Sequence, residues 1–140
     1  MTTFHWKNAA NGSFNTASAW IPQGVPGVAD TAVIDAVGTY TVSSTSNNEV
    51  TELDTINTAT LAITAGVFQV DLRANNYGTV SVHDGATLKL LSTFPLNVGK
   101  ITLNAATAAT ELKVGIDTFS TAAATSPCRT APRTSSTAAC

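Results

Sequence analysis

An internal repeat of 21 residues is the feature that most limits how this chain can fold. Residues 76–82 (Asn-Tyr-Gly-Thr-Val-Ser-Val) return as residues 97–103 (Asn-Val-Gly-Lys-Ile-Thr-Leu). In both copies an Asn-x-Gly bend precedes alternating polar and apolar residues, the pattern of a strand with one buried face. Such a short strand cannot bury that face alone, so neighbouring copies must stack. The repeat therefore predicts a coiled β-solenoid in which the bend asparagines lie above one another and hydrogen-bond as a ladder.

Shorter patterns extend the repeat beyond these two copies. Residues 86–90 (Ala-Thr-Leu-Lys-Leu) return 24 positions later as residues 110–114, and residues 59–63 (Ala-Thr-Leu-Ala-Ile) are predicted to be an earlier copy of the same unit. Turn signals about every 8–12 residues also fit a β-sandwich of short strands, which is the alternative fold. The long repeat favours the solenoid, and the predicted fold class is all-β.

The chain divides into three predicted segments. Residues 1–48 form an N-terminal cap and the first strands, residues 49–117 form the solenoid coils, and residues 118–140 form a low-complexity, disordered tail. From residue 120 onward the chain contains only Ser, Thr, Ala, Pro, Arg and Cys, a composition that does not build a packed core.

An aromatic cap is predicted because the open end of a solenoid exposes unpaired strand edges. Trp6, Phe14, Trp20 and the Val25-Pro26-Gly27 turn can cover the first coil. Behind the cap, inward-facing aliphatic residues of the repeats are predicted to form the core, namely Val80, Val82, Leu88, Leu90, Ile101 and Leu103.

Composition excludes several classes of protein. Hydrophobic residues make up 44% of the 140 residues, charged residues 11%, and the formal net charge is −2. This hydrophobic content argues against a disordered chain, and the weakly acidic balance argues against sequence-independent binding of nucleic acid. No apolar run approaches the ~20 residues of a membrane span, and no signal peptide is visible, so export would use another route or a segment outside this chain. Cys128 and Cys140 fit no zinc or redox spacing, which leaves one disulfide or two free thiols open.

The opening segment carries a resemblance to a known class of proteins. It combines Phe14 and Trp20 with the Val-Pro-Gly turn at residues 25–27 and with Asp30 before the first strand. This arrangement resembles the opening module of large bacterial surface proteins, and the later repeats are similar to the coils of autotransporter and haemagglutinin-like β-helix passengers. The resemblance implies a right-handed parallel β-helix in a secreted or cell-surface protein, with this chain as a piece of a longer repeat array.

The candidate chemistry on such a scaffold is the cleavage of polysaccharides. Lyase chemistry needs carboxylates beside a cationic base on one face, and Asp71 and Arg73 share a strand parity with Asp84 part of a coil away. The structural alternative is that Asp71 and Asp84 end strands and bind turn amides. We expect the structural role, so the sequence predicts no catalytic, cofactor-binding or metal-binding residue.

The remaining candidate ligand site is aromatic. Trp6, Phe14, Trp20 and Tyr40 can stack on sugar rings, although a buried cap is the favoured role for them. The outward Thr, Ser and Asn rows can likewise bind glycans or partner proteins, or simply satisfy strand propensity.

The polar residues near the predicted turns have structural roles in this interpretation. Asp30 is expected to cap the loop after Gly27, and Asp35 to face solvent. His5 belongs with the cap, and His83 is expected in an exposed turn before Asp84-Gly85. Neither histidine has the partners that a metal site or a catalytic triad requires.

The sequence thus predicts a non-enzymatic, structural or adhesive β-helix segment at the cell surface or outside the cell. Glycans and host or cell-surface proteins are the expected partners, with no cofactor. A polysaccharide lyase or hydrolase fragment and a small carbohydrate-binding module are the alternatives.

Overall fold

The computed structural model of the protein describes residues 1–91, 96–114 and 117–121. Apart from one 3-10 turn at Ala17–Ala19, the regular structure in this part of the chain is entirely β. The strands are β1 (Thr3–Trp6), β2 (Gly12–Ser13), β3 (Trp20–Ile21), β4 (Thr31–Ile34), β5 (Tyr40–Ser44), β6 (Asn48–Thr55), β7 (Ala59–Ile63), β8 (Val67–Asn76), β9 (Thr79–Val82), β10 (Thr87–Leu90), β11 (Leu96–Asn97), β12 (Lys100–Leu103), β13 (Thr110–Val114) and β14 (Asp117–Thr121).

The strands stack in parallel, one coil on the next. One sheet has the order β14-β13-β10-β8-β6-β4-β1-β3 with β11 also paired to β8, and the second has the order β12-β9-β7-β5-β2. The architecture is a parallel β-solenoid of about four turns, which confirms the predicted fold class. A β-sandwich is excluded because its strands pair antiparallel, whereas in the described residues only β1–β3 and β13–β14 do so.

Each coil contributes three short runs that stack into three faces. The pairing of β6 with β8 shifts register between Val50 and Glu52, which divides these long strands into two halves. Face 1 contains residues 31–34, 52–55, 73–76 and 96–97, face 2 contains residues 40–44, 59–63, 79–82 and 100–103, and face 3 contains residues 48–50, 67–70, 87–90 and 110–114.

The registers confirm the main repeat and correct a secondary one. Asn97 pairs with Asn76, and Glu111 with Thr87, as the 21- and 24-residue spacings predict. The prediction that residues 59–63 are a copy of residues 86–90 is wrong, because Ala59–Ile63 stacks on face 2 between β5 and β9. The true neighbour of β10 is the first half of β8. All three faces share the same alternating burial, so a short Leu-x-Leu pattern does not identify its face.

Rows of aliphatic side chains fill the interior. Val80, Val82, Leu88 and Leu90 are buried as predicted, while Ile101 and Leu103, in the last described coil, are half-buried and pack against the same core. Each fully buried aliphatic side chain contributes about 1.5–3 kcal/mol relative to its exposed state. The alternation along each strand thus stabilises the stack from coil to coil.

The aromatic cap also forms as predicted. The Trp20 ring contacts Trp6 and Phe14 edge to face at centroid distances of 5.0 and 5.1 Å, and Phe14 meets Phe68 of a later coil at 5.1 Å. The Trp20 indole N–H donates to the Phe14 carbonyl at 2.8 Å, so the buried polar group is satisfied. The cap therefore joins the opening segment to the solenoid core.

The C-terminal prediction lies largely beyond the described part of the chain. Residues 118–121, which the sequence analysis assigned to the tail, belong to β14, which pairs antiparallel with β13. The remainder of the predicted tail, including Cys128 and Cys140, is outside the described residues. At the other end, parallel stacking begins with β1, which pairs with β4, so it starts within the segment predicted to hold the cap and first strands.

Candidate functional site

The four aromatic residues predicted as a sugar-stacking platform are buried. Trp6, Phe14, Trp20 and Tyr40 are between 0% and 4% exposed, and burial raises the pKa of the Tyr40 hydroxyl. A sugar stacks on an aromatic ring only where the ring face is open. The packing of these rings therefore supports their role as the cap.

The predicted cluster of Asp71, Arg73 and Asp84 is not a cluster in the structure. Arg73 Nη2 lies 2.9 Å from Glu52 Oε2 and 3.6 Å from Asp54 Oδ2, both on the preceding coil of face 1. Asp71 instead accepts a hydrogen bond from Gln69 Nε2 at 2.8 Å. It lies inside β8, so the expectation that Asp71 ends a strand is wrong.

Asp84 binds turn amides, which is the structural role expected for it instead of a catalytic one. It lies in the turn after β9 and accepts hydrogen bonds from the backbone N–H groups of Ala106, Thr107 and Ala108 and from the Thr107 hydroxyl. The Thr107 hydroxyl and these amides lower the Asp84 pKa to about 2. The carboxylate thus ties one turn to the turn of the following coil.

The other predicted turn residues have structural partners. Asp30 accepts from the Gly27 amide at 3.1 Å and the Thr2 amide at 2.9 Å, which confirms the loop cap. Asp35, predicted to face solvent, lies 2.8 Å from the exposed His5 ring through Oδ2 and Nδ1. Among the described residues no three His, Cys, Asp or Glu side chains are grouped to hold a metal ion.

The site that the structure does build lies on the outer side of face 3. Alternation turns Phe68, Val70, Leu88 and Leu90 inward, so the intervening polar residues point out. Four of these outward residues share one register position on four successive coils, namely Glu49, Gln69, Lys89 and Lys113. They line a groove of about 470 Å³ together with Asn47, Asn48, Val67 and Thr87. We call this the face 3 groove.

Gln69 connects the acidic and basic ends of the face 3 groove. Its amide nitrogen donates to Glu49 Oε1 at 3.0 Å as well as to Asp71, and its amide oxygen accepts from Lys89 Nζ at 2.9 Å. The carboxylates and the ammonium thereby fix the orientation of the amide. The row therefore runs from an acceptor at Glu49 through the fixed Gln69 amide to donors at Lys89 and Lys113.

Charge changes along the groove. Glu49 lies on its first coil, whereas Lys89 and Lys113 lie on its last two coils. Lys113 Nζ pairs with Glu111 Oε2 at 2.9 Å. Within the part of the chain described here, no carboxylate oxygen lies within 4 Å of Lys89 Nζ, whose partner is a neutral amide. Lys89 is thus the lysine of the groove that has no carboxylate partner among the described residues.

Neither this groove nor the exposure of Tyr77 was predicted from the sequence. Tyr77 is half-exposed at the bend between faces 1 and 2, in one column with Ile56 and Val98. The signal for Tyr77 was its place between Asn76 and Gly78, where a bend turns the side chain outward. The signal for the groove was the spacing of about 20 residues between successive polar residues of the row.

Comparison with known proteins adds no relative. No family model matches the chain, and neither a curated protein nor a solved structure matches it. In the residues that the structure describes, no helix has the length and hydrophobicity needed to cross a membrane. The function is therefore inferred from the geometry.

Proposed function

We propose that the chain is a non-enzymatic, structural and adhesive segment of an extracellular or cell-surface β-solenoid protein, and that it binds through the face 3 groove. The observation that carries this proposal is the in-register row of Glu49, Gln69, Lys89 and Lys113, which spans four coils and leads into an open groove. An extended site across several coils suits a long ligand better than a small substrate.

The scaffold supports a load-bearing role. Backbone hydrogen bonds join every coil to the next, and side-chain bonds between coils supplement them, as between Asp84 and the turn at residues 106–108. Such a stack holds the groove residues in fixed register, so little conformational entropy is lost when a ligand binds.

The class of partner follows from the surface. Half-buried amides, hydroxyls and charged groups line the groove, which suits the hydroxyl-rich surface of a glycan or the polar surface of a cell-surface protein. The resemblance of residues 12–34 to the opening modules of bacterial surface proteins supports the extracellular location. The weakly acidic net charge supports partners other than nucleic acid.

A polysaccharide panel tests the proposal. The purified protein is passed over immobilised neutral and acidic polysaccharides, and the length of each soluble polysaccharide is measured after prolonged incubation. We expect retention without shortening, and several-fold weaker retention of Gln69→Ala. Thr60→Ala, on the outer side of face 2, is the matched control and should be retained like the wild type. Shortened polysaccharide, or retention that ignores Gln69, would contradict the proposal.

A polysaccharide-acting enzyme is the second candidate, favoured by one observation. Glu52 and Asp54 both lie within 4 Å of the Arg73 guanidinium on the outer side of face 1, which brings acidic and cationic groups together as lyase chemistry requires. If this candidate is correct, the panel will release shortened or unsaturated products. Arg73→Lys and Glu52→Gln should then abolish that release while the circular dichroism spectrum stays unchanged.

A further inference from the structure

We propose that the face 3 groove binds an acidic polysaccharide of uronate type, with its chain running across the coils along the solenoid axis. This inference rests on the proposed adhesive function and names its ligand class. Two observations carry it. Lys89 and Lys113 occupy the same register position on adjacent coils, and the row residue that hydrogen-bonds to Lys89 is the neutral Gln69.

The spacing of the groove suits a polymer. Parallel strands lie ~4.8 Å apart, so successive coils present one side chain of the row per step. This step is close to the advance of one sugar residue along an extended polysaccharide. Four coils line the groove, and successive sugars of one chain can contact the rungs of Gln69, Lys89 and Lys113 in turn.

The charge pattern selects a carboxylate. Lys89 Nζ is held by the Gln69 amide oxygen, a neutral acceptor, at 2.9 Å. A uronate carboxylate that replaces or joins this acceptor gains a charge-assisted hydrogen bond, about twice as strong as a neutral one. Lys113 supports the same charge from the next coil, although Glu111 partly neutralises it at 2.9 Å.

Neutral groups in the groove can hold the hydroxyls of the sugar. Gln69 and Thr87 are half-buried neighbours of Lys89, one on the adjacent coil and one on the same strand. The Gln69 amide nitrogen already donates both N–H groups to Glu49 and Asp71, so its oxygen, which accepts from Lys89, is the atom that can accept a further hydrogen bond from a sugar hydroxyl. Glu49 at the far end repels a polyanion, which places the ligand toward the lysine end.

Isothermal titration with a short oligogalacturonate tests the inference, and the fully methyl-esterified oligomer serves as the uncharged probe. We expect the acid oligomer to bind, with affinity falling as salt is added because the lysines are partly exposed. Lys89→Ala should weaken binding about tenfold, as the loss of one charge-assisted bond implies. Glu111→Gln should strengthen it several-fold by freeing Lys113. Lys100→Ala removes the same charge from exposed face 2 and should change the affinity less than twofold.

Equal binding of the methyl-esterified oligomer, or equal loss in Lys89→Ala and Lys100→Ala, would overturn the inference. If the protein ignores oligogalacturonate but retains a neutral polysaccharide in a Gln69-dependent way, the uronate inference fails while the adhesive proposal stands. If no glycan binds, although a cooperative melting curve shows that the protein is folded, the uronate inference and the glycan part of the adhesive proposal both fail.

Discussion

Gly78 lies where the backbone of one coil passes closest to the coil before it. A Cβ atom at this position would be 2.1 Å from the Ile56 carbonyl oxygen and 2.4 Å from that of Ala59. Gly99 repeats the arrangement one coil later, with a Cβ position 2.1 Å from the Gly78 carbonyl oxygen. The glycine of the Asn-x-Gly bend is thus required by the stacking of the coils.

Gly78→Ala should destabilise the fold strongly. The atoms that the new methyl group meets belong to the backbone, so relief requires the coils to separate locally, at a cost of about 3 kcal/mol. Urea denaturation followed by circular dichroism measures the change. Gly27→Ala is the matched control, because its nearest contact would be 3.8 Å, and it should shift the free energy of unfolding only slightly. Equal stability of the two variants would show that the bend is not tightly stacked.

Asp84 makes part of the stability depend on pH. Its pKa in the folded protein is about 2, below the ordinary value of 3.8, so its bonds to the residue 106–108 turn contribute fully above about pH 4. That contribution is lost as the pH falls from 3.8 towards 2.

Asp84→Asn should therefore be less stable than the wild type at neutral pH, and the gap should narrow as the pH falls to 2. Denaturation curves over this range measure the gap. Asp71→Asn removes a carboxylate of the same type from inside β8 and controls for the general loss of a negative charge. A gap for Asp84→Asn that stays constant with pH would contradict the assigned role.

The burial of both tryptophans predicts their fluorescence. Trp6 and Trp20 are 4% and 1% exposed, so emission should be blue-shifted, resist quenching by iodide and stay unchanged when sugars are added. Red-shifted emission that is quenched by a sugar would contradict the buried cap and would indicate that the tryptophans bind sugar.

At the scale of the element, a polar ladder holds face 1 together. The Thr55 hydroxyl donates to Asn76 Oδ1 at 2.6 Å, and Asn76 Nδ2 donates to Asn97 Oδ1 at 2.7 Å, each step crossing one coil of 21 residues. Thr55 and Asn76 are buried, and the Thr55 hydroxyl hydrogen and Asn76 Oδ1 satisfy each other, while Asn76 Nδ2 also donates to Asn97 and to the Lys100 carbonyl. This ladder confirms the predicted stacking of the bend asparagines.

A double-mutant cycle of Thr55→Val and Asn76→Ala measures the coupling. Loss of one partner leaves the other buried without its bond, which costs about 1–3 kcal/mol, whereas loss of both removes that penalty. We expect an interaction energy of about 1 kcal/mol from chemical denaturation. The control cycle, Thr41→Val with Thr102→Ala, joins two outward residues of face 2 that lie three coils apart, and it should be additive within about 0.5 kcal/mol. Additivity in the first cycle would show that the ladder contributes nothing.

The same elements explain how far the sequence predicts the molecule. The repeat with Asn76 and Asn97 predicts its register correctly, because a glycine two positions later is needed at each close approach of the backbone. Residues 59–63 were assigned to the wrong neighbour, since all faces bury the same alternating side chains. The face 3 groove was not predicted because the coils differ in length. The pairing of Gln69 with Lys89 depends on the length of the turn between their strands, which the sequence does not reveal.

At the scale of the whole molecule, one end of the solenoid is closed and the sides are open. Trp6, Phe14 and Trp20 fill the interior at the N-terminal end and are almost fully buried there. The polar surface available for binding is therefore the outer side of the stacked faces. Because the groove spans four coils, binding depends on the intact stack.

Localising a bound ligand tests this account most directly. The ¹⁵N-labelled protein is titrated with short oligogalacturonate, and changes in amide and indole chemical shifts are mapped. We predict changes concentrated at the lysine end of face 3, around residues 67–69, 87–89 and 111–113, with both tryptophan indole signals unmoved. Changes centred on the indoles of Trp6 and Trp20, or on the outer side of face 2, would contradict it.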